Sequence, residues 1–106
     1  MMIGPEDLSQ RMLNAIEPGS PLPIHRHRKT SETVVVLRGR LVWEYYDEVE
    51  RLCTERIEVC PNGPEVALNV PAGQWHTVRA LESGSVLLEM KEGAYEPIGP
   101  EDILAL

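Results

Sequence analysis

The chain has 106 residues, with 17 acidic and 10 basic side chains and a formal charge of −7. That length suits one domain, residues 1–106, with a modest buried core. The acidity argues for solubility and against nucleic acid or an anionic membrane as the main partner. No apolar run reaches the roughly 18 residues of a membrane span. The opening Met1-Met2-Ile3-Gly4-Pro5-Glu6-Asp7 has no basic segment followed by an apolar one. It therefore does not read as a secretory signal, and a cytoplasmic protein is expected.

In chain order, Pro5 to Leu8 could form a turn. Apolar runs then predict strands at Met12 to Ile16, Leu22 to His27, Thr33 to Arg38, Leu41 to Tyr46, Glu55 to Val59, Val66 to Val70, Trp75 to Leu81 and Val86 to Lys91. Turn residues separate them: Glu17-Pro18-Gly19-Ser20, Asp47-Glu48, Pro61-Asn62-Gly63-Pro64, Pro71-Ala72-Gly73 and Ser83-Gly84. Pro100-Glu101-Asp102-Ile103 could open a short terminal helix. Leu41, Trp43 and Tyr45 share one face of their strand by the two-residue period. Val34 to Leu37 and Val86 to Leu88 are apolar on both faces, as where two sheets pack. The fold class is all-β, a sandwich or barrel. Cys53 and Cys60 are seven apart, which is neither a zinc-ribbon nor a redox spacing. Buried free thiols are the simpler reading, and a disulfide between them is the alternative.

The three histidines are His25, His27 and His76. The first two lie in Gly19-x5-His25-x-His27-x4-Glu32-x6-Gly39, and the third in Pro71-x-Gly73-x2-His76. On a strand, residues i and i+2 point the same way, roughly 7 Å apart at Cα. Two such imidazoles can converge on one ion with bonds of about 2.1 Å. Glu32 is offset from His27 by an odd number. It can join them only if the polar Arg28-Lys29-Thr30-Ser31 bends the chain before a new strand carrying Glu32, Val34 and Val36 on one face. A lone His-x-His pair would read as a surface pair. With Glu32 and His76 added, the four residues read as ligands of one divalent transition metal: iron, manganese, nickel or zinc. Two coordination positions would stay open in an octahedral ion.

These two patterns resemble the signature motifs of the cupin superfamily. The resemblance implies a double-stranded β-helix, a small conical jelly-roll barrel with the metal near its wider mouth. Two positions depart from the second motif: Glu65 stands where a Gly is usual, and Ala80 where an Asn is usual. Further segments look like the WbuC family of cupin-fold metalloproteins: Gln10 to Pro18, Pro23 to His27, Tyr46-Asp47-Glu48, Pro71 to Thr77 and Glu89 to Tyr95. That resemblance implies a role in bacterial surface-polysaccharide metabolism, with a sugar or sugar derivative as ligand. Compared with longer members the chain begins late, which implies a more open pocket.

The functional expectation is a sugar isomerase or epimerase. The alternatives are a non-haem iron dioxygenase and a non-catalytic ligand-binding barrel, because one barrel hosts many activities. No residue is assigned a catalytic role. Arg38 has the parity of Glu32 and reads either as an inward anion-binding residue or as an exposed strand end. Trp43 and Tyr45 read as core, with pocket lining as the alternative. Tyr95 caps the mouth or lies on the surface. Glu89 shares a face with Leu87 and Lys91; a solvated edge carboxylate is the simpler reading, a general base the sharper one. With the histidines taken by the metal motif, there is no Ser-His-Asp arrangement, and there is no phosphate loop. A homodimer through the edge strand Met12 to Ile16 is expected.

Overall fold

The computed structural model describes residues 6, 8–20, 22–93 and 97–106. Its strands are β1 Ser9–Ile16, β2 Ile24–His25, β3 Glu32–Arg38, β4 Leu41–Tyr46, β5 Cys53–Val59, β6 Ala67–Val70, β7 Trp75–Ala80, β8 Ser85–Glu92 and β9 Ile103–Leu104. They form two antiparallel sheets, ordered β1-β8-β3-β6 and β5-β4-β7-β2-β9. The sheets enclose one apolar core, in the jelly-roll arrangement that the resemblance implies.

The two-residue period builds that core. Val34 and Val36 of β3, Leu41, Trp43 and Tyr45 of β4, Val78 and Ala80 of β7, and Leu87 of β8 are all buried in one cluster. Each large apolar side chain fully removed from water contributes roughly 1.5–3 kcal/mol. The opposite face of β4 carries Glu44, which is buried beneath Arg56 and Arg79. Burial would raise its carboxyl, but the hydrogen bonds from both guanidinium groups outweigh that and keep it ionised.

Two predicted elements and one side-chain orientation change. The strand expected over Leu22 to His27 shrinks to Ile24–His25. Past His25 the backbone bonds go to loops: Arg26 N–H donates to Asp102 O at 3.1 Å, and His27 O accepts from Gly73 N–H at 2.8 Å. The terminal helix is a single 3-10 turn, Pro100–Asp102, and leads into β9, which pairs with β2. Arg38 faces outward and is exposed. A bulge after Val36 shifts the register, so Arg38 pairs with Val86 and loses the inward parity of Glu32. The turn expected over Pro5 to Leu8 and the mouth-capping Tyr95 fall wholly or partly outside the described residues. Cys53 and Cys60 are free thiols.

Candidate metal centre

The four predicted ligands come from three elements at one end of the barrel. His25 closes β2 and is the cross-strand partner of His76 on β7. Glu32 opens β3, and His27 lies in the chain between them. The Pro71-Ala72-Gly73 turn is bonded to the first motif through Gly73 N–H and His27 O. Gly73 has φ +82°, a conformation that favours glycine. The bond fixes the segment that delivers His76 against the segment that delivers His25 and His27.

Ligand nitrogens of His25, His27 and His76 lie within 4.8 Å of one another. Two opposed ligands at about 2.1 Å from an ion would be about 4.2 Å apart, so three imidazoles at this spacing can hold a metal ion. Glu32 Oε1 is 3.4 Å from His76 Nε2, and Glu32 Oε2 is 3.7 Å from His27 Nε2. Two backbone carbonyls set the ring orientations. Nδ1 of His25 is 3.0 Å from Pro23 O, and Nδ1 of His76 is 2.9 Å from Gln74 O. A carbonyl only accepts, so each Nδ1 carries the hydrogen and each Nε2 presents its lone pair.

The electrostatics agree with that chemistry. Burial, and then the charge of His76, pushes the His25 imidazole below its usual range. Burial brings His27 down to about 4. Both rings are therefore neutral at pH 7, the form that binds metals. Burial opposes ionisation of Glu32, but its neighbours His76 and His27 favour the ionised form and hold its carboxyl below the ordinary value. The donor set, neutral imidazoles beside an ionised carboxylate, fits a divalent transition metal.

An inner cavity of about 280 Å³ opens onto this cluster, with Trp43, Val78 and Met12 on its apolar side and Glu89 and Lys91 on its polar side. Trp43 thus serves both readings, being 1% exposed and cavity-lining. Tyr45 is core, and its hydroxyl donates to Asn69 O at 3.3 Å. Glu89 is not the solvated edge carboxylate that seemed simpler from the sequence. It faces into the barrel between Met12 of β1 and Val34 of β3, within hydrogen-bonding reach of Asn14. Burial, reinforced by the negative charge of Glu32, raises its carboxyl to about 7. Its shared parity with Leu87 and Lys91 was the sequence signal for this position.

The family described as Domain of unknown function (DUF6016) matches residues 3–58, just over half of the chain and including His25, His27 and Glu32. The chain belongs to the DUF6016 family. No curated protein matches its sequence. The DUF6016 chain is similar in structure to a 3,4-ketoisomerase from Helicobacter canadensis (TM-score 0.70, 18% identity, 94% of this chain and 70% of that one). It is similar to the QdtA 3,4-ketoisomerase from Thermoanaerobacterium thermosaccharolyticum in complex with TDP (0.69, 20%, 92% and 66%). It is also similar to CapF, a capsular polysaccharide assembling protein from Staphylococcus aureus (0.67, 24%, 94% and 29%). The chain thus spans less than a third of CapF and about two thirds of the isomerases. With the topology above, these likenesses establish the fold of the DUF6016 chain as the cupin double-stranded β-helix.

Proposed function

We propose that this chain is a metal-dependent sugar isomerase or epimerase of bacterial surface-polysaccharide metabolism, a cytoplasmic homodimer of the WbuC kind. Its ligands would be His25, His27, Glu32 and His76. The observation that carries the reading is the presence of Glu89 in the same cavity as the three-imidazole, one-carboxylate cluster. The sugar isomerases and the capsule protein that share the fold support the substrate class.

A divalent ion held there would polarise a carbonyl or vicinal diol of the sugar. The remaining chemistry falls to the chain's own groups. In the metal-free chain burial raises the Glu89 carboxyl to about 7, so this group can hold a proton as well as release one. As carboxylate, Glu89 would take the proton from a hydroxyl-bearing carbon beside the carbonyl. As carboxylic acid, it would return that proton to the former carbonyl carbon. The hydroxyl proton passes to the former carbonyl oxygen as the enediol forms and collapses, and the electron pair stays within the sugar, so no external oxidant or reductant is needed. Trp43, Met12 and Val78 would keep water from the transient enediol.

The test is proton exchange. Metal-loaded protein would be incubated in D2O with a panel of nucleotide-linked keto sugars and followed by NMR. Deuterium entering the carbon next to the carbonyl is the expected result. Oxygen consumption by the iron-loaded protein without any deuterium incorporation would replace the isomerase by a dioxygenase.

A further inference from the structure

A second pocket, of about 440 Å³, lies outside the inner cavity, between the loop after β2 and the segment before β9. His27 and Lys91 line both spaces, so the two adjoin. The outer pocket is basic in an acidic chain. Arg26, Arg28, Lys29 and Lys91 line it, against the carboxylates of Glu101 and Asp102. Four of the chain's ten cationic residues therefore meet at one opening.

The two arginines are held in place. One oxygen of Asp102 accepts from Arg26 Nε at 3.0 Å and from Arg28 Nε at 2.6 Å. The Arg26 guanidinium also lies 4.5 Å from the centre of the Trp75 ring, which fixes its plane. Asp102 uses the inner nitrogen of each arginine and leaves the terminal nitrogens for another acceptor. Among the described residues, Lys29 and Lys91 have no carboxylate within ion-pair distance. Forked guanidinium groups fixed beside unpaired ammonium groups suit the several oxygens of a phosphate. Fixing them beforehand lowers the cost of ordering side chains on binding.

We infer that the outer pocket is a phosphate subsite, where Arg26, Arg28 and Lys29 hold the phosphate or diphosphate of an activated sugar whose ring enters the inner cavity. The inference rests on the sugar reading above and narrows it to phosphorylated sugars. Lys91, at the junction, would meet the oxygen that links the two parts.

The test uses metal-loaded protein and isothermal titration calorimetry. Inorganic pyrophosphate is the probe, against the parent and an R28Q/K29Q double variant; both side chains are exposed, so the fold should stand. Loss of charged hydrogen bonds predicts binding weaker by about tenfold or more, with metal content unchanged. Equal affinity in the variant overturns the subsite. Parent binding that vanishes when the metal is chelated also overturns it, because the anion would then be a metal ligand. Glucose 1-phosphate against inorganic phosphate separates the sources. Tighter binding of the sugar phosphate supports the assignment, and equal binding by the parent contradicts it. An intact pyrophosphate pattern without deuterium exchange removes the isomerase reading alone.

Discussion

Glu89 is the residue on which the proposed chemistry turns, and its substitution separates catalysis from metal binding. Glu89→Gln should reduce deuterium exchange at least about a hundredfold, the usual scale of a lost general base. Metal content should be unchanged, because Glu89 is not among the ligands. The same variant carries a stability signature in metal-free protein. Glu89 rises from 4.5 to about 7 on folding, so the folded state holds its proton more tightly. Its stabilising effect is complete below about pH 4.5 and is lost as pH rises through about 7. Gln stays neutral, so the variant should gain on the parent above pH 7, by up to the order of 3 kcal/mol. Urea melts at pH 5 and pH 8 measure this, and an identical difference at both would show that Glu89 is not buried. At this scale the clustering of His25, His27 and His76 was legible in the sequence because His25-x-His27 and the turn before His76 are local patterns. The environment of Glu89 was not legible, because strands β1 and β3, far apart in sequence, bury it from both sides. Arg38 was misplaced by parity for a similar reason: one extra residue in β3 reverses every face after it.

The tight turn that carries the chain from β3 in one sheet to β4 in the other shows what the last glycine of the first motif does. Gly39 has φ +82°, and a Cβ there would lie 2.7 Å from Ser85 Cα. Ser85 is itself fixed, because its hydroxyl accepts from Arg40 N–H at 3.1 Å and donates to Glu82 O at 2.8 Å. Gly39→Ala meets both backbone strain and a backbone clash. It should cost about 2 kcal/mol or more in a denaturant melt, with metal binding retained in the folded fraction. A melt unchanged from the parent would contradict this turn geometry. The seven longer strands were legible from apolar runs bounded by Gly and Pro, within a few residues at their ends. β9 was not, because two residues carry no period. Its pairing with β2 lies next to the Arg26–Asp102 ion pair and to the backbone bond from Arg26 N–H to Asp102 O, contacts between segments far apart in sequence.

Across the whole molecule, the outer face of the β1-β8-β3-β6 sheet is the surface best suited to a second copy. Leu13, Leu88, Val35 and Ala67 stand side by side across all four strands. Leu13 is 51% exposed, and β1 is an edge strand. An apolar row ending at a free edge suits a closed two-fold pair. Light scattering at micromolar concentration should give twice the chain mass, and Leu13→Glu should give the monomer; a monomeric parent would refute the dimer. The metal centre is the claim on which the rest depends. It is tested most directly by elemental analysis of protein purified without a histidine tag, alongside His76→Ala. One transition-metal ion per chain in the parent, released by acid as the imidazoles protonate and lost in a still-folded variant, is the predicted result. A parent that holds no metal after reconstitution, or a variant that keeps its full complement, would contradict it.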